Sequence, residues 1–218
     1  MRERLAALGS PLVVREGEAT AVISQFPIAR LWAHEETGNG ISYARDRRVR
    51  RWAREQGIPF VEFPANGVVR RLARRDGWSR QWETRMAEAL TPEPAALRPA
   101  GTIASGRIPS ARELGIFDPG LRRTQRGGVA AAQATLDSFL SERGAQYHRE
   151  MSSPLSAESA CSRLSPYLAY GNLSTRQVVQ AARAAKEREG WRALLRSFDA
   201  RLHWRCHFMQ KLEDEPRI

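Results

Sequence analysis

The stretch Cys161-Ser162-Arg163-Leu164-Ser165-Pro166-Tyr167-Leu168-Ala169-Tyr170-Gly171 combines a hydroxyl-rich loop with the signature of a helix start. Ser165 is a good N-cap residue, and Pro166 fits the first helical position, where a missing N–H costs nothing. The unpaired N–H groups of a first turn point outward, and together with the helix dipole they favour a phosphate in front of them. Ser162 and Ser165 add hydroxyl donors, and Arg163 adds a permanent positive charge. The local chemistry is equally that of an ordinary capped helix, so the stretch has to be read with its neighbours.

Working outward, the 218 residues suffice for one large domain or two small ones with a sizeable core. The formal net charge of +11 suits a polyanionic partner, nucleic acid first. Nearly all the basic residues are Arg, with only Lys186 and Lys211 as Lys, a bias that GC-rich coding also produces. Cys161 and Cys206 are too few for a disulfide framework and form no Cys-x-x-Cys pair, which fits a reducing cytoplasm. The amino terminus lacks the apolar run of a signal peptide, and no run of about 18 apolar residues occurs, so a soluble, cytoplasmic chain is expected.

The first ninety residues alternate short apolar runs with amphipathic stretches, the rhythm of an α/β layer. Pro11 to Arg15, Ile28 to Ala33 and Pro59 to Phe63 read as strands, paired in parallel through right-handed crossovers. Ser42 to Gln56, with Val49, Trp52 and Ala53 on one side, reads as a helix closed by Gly57. Residues 91–126 lose periodicity among Pro92, Pro94, Pro99, Gly101, Gly106, Pro109, Pro119 and Gly120, and read as an interdomain linker. Thereafter the chain reads as all helical. Gly127 to Arg143 carries an apolar stripe ending at Gly144, and Ser174-Thr175-Arg176-Gln177 is a capping box. A last helix from Gly190 places Trp191, Leu194, Leu195, Phe198 and Leu202 on one face.

With these elements in place, Ser162 to Gly171 resembles the flavin-phosphate motif of the photolyase and cryptochrome family, a Ser-x-Leu-Ser-Pro run beginning a helix. Leu202-His203-Trp204-Arg205 resembles that family's Leu-Ile-Trp-Arg helix, and Gly127-Gly128 with Ala131, Leu136, Phe139 and Leu140 resembles the helix that opens its flavin domain. The motifs occur in the family's order. The resemblance implies an incomplete Rossmann-like parallel sheet over 1–90, a Pro/Gly-rich linker over 91–126, and the first part of a helical FAD-binding domain over 127–218. It implies a piece of a protein about twice as long.

The resemblance further implies FAD held by Tyr147, Cys161, Ser162, Arg163, Leu164, Ser165, Phe198, Arg201 and Arg205. Cys161 stands where many members have Thr, and a thiol is a weaker donor. The spacing from Tyr147 to Ser162 is longer than the family pattern, by the insert around Met151 to Pro154. Arg201 is the main departure, because repairing members commonly place a Glu there, and Arg reverses the charge. The implied activity is blue-light repair of cyclobutane pyrimidine dimers in DNA, with the lesion flipped out of the duplex. A cryptochrome-type photoreceptor without repair is the second reading, and a basic nucleic-acid-binding module that only mimics the family is a third. No catalytic side chain is required for the repair cycle.

His34, Glu35 and Glu36, at the carboxyl end of an expected strand, resemble the border of a second, antenna chromophore of unknown identity. His203, Cys206 and His207 share a helical face and present a rival metal-chelating pattern, although burial beside a cofactor explains them equally. A monomer acting on DNA, with no membrane, completes the expectation.

Overall fold

The computed structural model describes residues 1–99, 101, 103–117, 120, 124–187 and 190–216. It divides into two compact units. Residues 1–28 and 91–126 form one, and residues 29–90 and 127–218 form the other.

In the first unit, two short helices, α1 (Arg2–Ala7) and α2 (Ala19–Ile23), flank an irregular stretch. The strand expected over Pro11 to Arg15 does not form. Val14 instead accepts from the Gly106 N–H at 3.0 Å, and its own N–H donates to Ser105 Oγ at 3.2 Å. A strand needs a partner with matching backbone, and here the partner is a Gly- and Pro-rich run that cannot sustain a ladder. The segment read as a linker thus lies against the first residues of the chain, through Leu97 N–H to Leu8 O and an ion pair of Arg4 with Glu93. Pro119, counted in that linker, falls outside the described residues, as do Arg217 and Ile218.

The second unit opens with a small parallel sheet. Strand β1 (Leu31–His34) pairs with β2 (Phe60–Phe63), joined by helix α3 (Gly40–Glu55). Asn39 caps α3, its side chain accepting from Ile41 N–H and Ser42 N–H. Gly57 adopts φ +67, the left-handed turn that ends the helix. Helix α4 (Trp78–Ala87) follows and buries Trp78, Trp82 and Met86.

The remainder is helical. Gly128, at φ +107, turns the chain into α5 (Val129–Ser141), which stops before a short 3₁₀ turn over Arg143–Gln146. Gly144 is required there, because a Cβ would lie 2.5 Å from the Phe139 carbonyl. Short helices α6 (Tyr147–Glu150), α7 (Ala157–Ala160) and α8 (Ser165–Ala169) lead to α9 (Thr175–Ala184). The capping box of α9 forms as expected: the Ser174 hydroxyl accepts from Gln177 N–H, and the Gln177 side chain accepts from Ser174 N–H. A second 3₁₀ turn over Ala185–Glu187 leads toward α10 (Arg192–Asp214).

One apolar core draws on α4, α5, α6, α9 and α10, with Leu136, Phe139, Val178, Val179, Leu194 and Leu195 nearly inaccessible. Gln210 ties α10 to the loop after β2. Its side-chain oxygen accepts from Val69 N–H at 2.7 Å, and its amide donates to Val69 O at 3.0 Å. Among the described residues no helix is long and apolar enough to cross a membrane.

Candidate functional site

The loop between α7 and α8 is built around Arg163, whose backbone takes φ +60. An arginine with a left-handed backbone is uncommon and marks a held turn. Leu164 follows at φ −90 and ψ −9, in the right-handed region. A left-handed residue followed by a right-handed one turns successive N–H groups toward a common point, a concavity that suits an anion. Among the described residues, the N–H groups of Ser162, Leu164 and Ser165 have no acceptor.

The cap differs from the sequence expectation. Leu164, not Ser165, is the N-cap, and its buried side chain anchors the turn in the core. Ser165 is the first helical residue and is exposed, and Pro166 stands second. With α8 only five residues long, its dipole contributes little, so the anion-favouring features are the turned backbone and the arginines.

The residue that holds this loop is Arg143, which the sequence pattern does not single out. Its guanidinium donates to Cys161 O at 2.6 Å, Ser162 O at 3.4 Å, Thr135 O at 3.0 Å and Ser138 Oγ at 3.0 Å. These acceptors are neutral, so Arg143 fixes the loop without having its charge cancelled. Among the described residues no carboxylate pairs with it. Burial lowers its pKa, and the positive Arg163 nearby lowers it further. A half-buried guanidinium without a carboxylate partner, beside amides that lack acceptors, favours an anion nearby.

Tyr147, Cys161 and Arg201 also come together. Burial raises the Tyr147 phenol pKa, a charged Cys161 would raise it further, and Arg201 opposes both. The Cys161 thiol lies 3.8 Å from Met151 O, within the insert that lengthens this loop. Arg201 is exposed and lies over the Trp204 ring, 4.8 Å from its centre. Phe198 is buried, packing on Phe139 at 4.7 Å and on Tyr147 at 5.8 Å, and so faces the core. Arg205 reaches Leu168 O and Thr175 Oγ1, each at 3.4 Å, and bridges the end of α8 to the start of α9. The residues singled out from the sequence therefore share one neighbourhood, but Leu164 and Phe198 turn their side chains inward.

The remaining sequence candidates are engaged elsewhere. At the end of β1, His34 Nδ1 lies 3.4 Å from Phe63 O, and Glu36 accepts from Gly38 N–H and pairs with Arg45 at 3.0 Å. His203 lies against Trp78 and Trp82, with Nε2 3.2 Å from Ser79 Oγ, while Cys206 is fully buried. Among the described residues no group of three His, Cys, Asp or Glu side chains is placed to hold a metal ion.

A small parallel α/β layer beside a helical core, with a loop of turned backbone amides on the helical side, defines an α/β-plus-helical protein. Comparison with known proteins makes the assignment specific. No protein-family model matches the chain. It is 33% identical to a deoxyribodipyrimidine photo-lyase of Halobacterium salinarum over 97% of its own length and 48% of that protein. It is 29% identical to the Streptomyces griseus enzyme of the same name, over 95% of the chain and 47% of the relative. Among solved structures, a Synechocystis cryptochrome matches 97% of the chain and 48% of its own with a TM-score of 0.75 at 18% identity. An archaeal photolyase from Sulfolobus tokodaii, solved with two FAD molecules, matches 99% of the chain and 46% of its own with a TM-score of 0.62 at 23% identity. The chain is similar to members of the photolyase and cryptochrome family, and it spans about half the length of the curated relatives it matches.

Proposed function

We propose that the loop from Cys161 to Ser165 binds the diphosphate of FAD, within a photolyase-like protein that acts on pyrimidine dimers in DNA under blue light. The observation that carries this reading is the Arg143 clamp, which holds the Cys161 and Ser162 carbonyls and so fixes the left-handed turn at Arg163, where the N–H groups of Ser162, Leu164 and Ser165 have no acceptor among the described residues. That donor set fits a diphosphate: amides and guanidinium groups supply directed hydrogen bonds, and the charges have the right sign. When bound, FAD would supply the light absorption and the electron for dimer splitting. Around it, Ser162, Arg163 and Ser165 hold the phosphates, Arg143 keeps their backbone in place, and Tyr147 and Arg201 set the local polarity. The core behind Leu164 excludes water from one side of the loop. A second chromophore at the carboxyl end of β1, near His34 and Glu35, belongs to the same proposal.

The test is direct. The chain is reconstituted with reduced FAD, illuminated with blue light beside DNA carrying cyclobutane dimers, and assayed both for retained flavin and for dimer loss. Retained flavin is the expected result for the chain, dimer loss is expected once the chain is part of a protein as long as its relatives, and failure of that longer protein to retain flavin overturns the proposal. Arg201 favours the second reading, a cryptochrome-type photoreceptor, because it puts a cation where the resemblance expects a carboxylate. Flavin retained without any dimer loss, together with dimer loss gained in Arg201→Glu, would decide for that reading.

A further inference from the structure

The face of α3 that turns away from the sheet carries arginines which nothing in the flavin reading uses. Arg47, Arg51 and Arg54 are exposed, and their spacing places them within a sector of about 60° along roughly 10 Å of helix. Three carboxylates near α3 are spent on other arginines. Asp46 and Glu36 pair with Arg45, and Glu62 pairs with Arg50 and Arg70. Among the described residues no ion pair reaches Arg47, Arg51 or Arg54, although Glu55 lies one turn beyond Arg51. Arg48 flanks the row. The result is a single-sign strip on a regular, well-capped helix, with a geometry set by the helix and not by flexible loops.

We propose that this strip docks on the sugar-phosphate backbone of double-stranded DNA, independently of any lesion and of the flavin. A regularly spaced row of guanidinium groups offers charge and bidentate phosphate bonds, and no aromatic side chain lies in the row to stack on an unpaired base. A membrane surface fits less well. An interfacial helix sinks an apolar face among the acyl chains, but the apolar side of α3, with Ala53 fully buried and Trp52 half-buried, is occupied within its own unit. What remains outward is charge alone. Such docking holds the chain on undamaged duplex and shortens the search for a damaged site.

The experiment titrates the full chain, in the dark and without added flavin, against a short undamaged fluorescent duplex between about 50 and 200 mM NaCl. Removing one arginine from its phosphate flattens the slope of log K against log salt by about 0.9, so Arg47→Gln, Arg51→Gln and Arg54→Gln combined should flatten it by about 2.7. Over that salt range the affinity change then shrinks by about 40-fold. A control combining Arg74→Gln, Arg80→Gln and Arg112→Gln removes the same charge from scattered exposed positions and should change the slope by less than half as much. Replacing the strip by Lys keeps the charge and should keep the slope, which separates weakened phosphate binding from a misfolded variant. An equal effect of the two Gln triples, or none from either, overturns the proposal. So does loss of binding to phosphatidylserine vesicles by the strip variant while its DNA slope is unchanged. None of these readouts uses flavin or light, so they stand or fall apart from the flavin site.

Discussion

The two units are held together by different physics. Among the described residues of 1–28 and 91–126 none is buried, and the ties are backbone bonds and the exposed pairs Arg4 with Glu93 and Arg107 with Glu113. The unit of 29–90 and 127–218 holds every side chain that is buried among the described residues, from Ala53 to Gln210. Exposed ion pairs in water add little, whereas each large apolar side chain removed from water adds about 1.5–3 kcal/mol. A loop at φ +60 has to be held against its own preference, and only the second unit has a core rigid enough to hold it. The candidate site accordingly lies where the apolar burial is.

Phe139→Ala should break this contrast most severely if it is wrong. The ring is fully buried between Tyr147 and Phe198, and its removal should cost about 3–5 kcal/mol in denaturant unfolding. Leu114→Ala, in the other unit and nearly half exposed, should stay within about 0.5 kcal/mol. Similar costs for the two would mean that the units do not differ as described. Gly67→Ala sharpens the same point through over-packing. Its Cβ would sit 2.0 Å from Trp82 Cδ1 and 3.1 Å from Cys206 Cβ, so a loss of about 1–3 kcal/mol is expected from the same unfolding measurement.

Much of the second unit was legible because its signals are local. Gly57 closes α3, the Ser174 and Gln177 box opens α9, and Pro59 to Phe63 reads as a strand, each within a few residues of its cause, whereas the Asn39 cap starts α3 two residues before the expected Ser42. Where the cause is remote, the reading failed. Val13 and Val14 look like a strand, yet their partner is Ser105 and Gly106, some ninety positions away and unable to form a ladder. The helix start near Ser165 is local and legible, but its N-cap lies one residue earlier, because burial of Leu164 outweighs the capping preference of Ser165. Arg143 escaped notice because its bonds to Cys161 and Ser162 span 18 and 19 residues, and one arginine among many carries no local mark. Gln210 reaches Val69 across 141 positions and was equally invisible.

Arg143→Met tests whether the loop depends on the clamp. The core behind it should survive, while flavin retention should weaken about 10- to 100-fold, from the loss of charge-assisted hydrogen bonds worth about 1.5–3 kcal/mol. Arg143→Lys keeps the charge but not the fork, and should recover only part of that loss. Full retention in Arg143→Met would show that the clamp is dispensable. A smaller effect comes from His203. Burial between Trp78 and Trp82 lowers its pKa below 6.5, Glu83 and Asp199 oppose the shift, and His207 adds to it. The folded state therefore prefers the neutral ring. Its contribution is complete above pH 6.5 and declines as the pH falls through the lowered folded value. The midpoint of thermal unfolding should fall on acidification across that window, and His203→Phe should flatten the fall; an unchanged slope in the variant would rule out this residue as the cause.

The smallest effect belongs to the unit without a core. Glu113 is held at about 2, below its ordinary 4.5, by a hydrogen bond from Arg107, then by the backbone and hydroxyl of Ser110. A lowered carboxylate pKa stabilises the folded turn above the ordinary value, and that stabilisation is lost as the pH drops through about 2. Because the group lies at the surface, the effect stays local. Amide exchange at Gly115 and Ile116, which donate to Arg112 O and Ala111 O, should accelerate relative to the intrinsic rate between pH 4.5 and about 2, while the unfolding of the second unit ignores the Glu113 titration. Glu113→Gln should show the faster exchange already at neutral pH. If it instead shifts the unfolding midpoint of the whole chain, the two units are coupled more tightly than their burial implies, and the contrast between them fails.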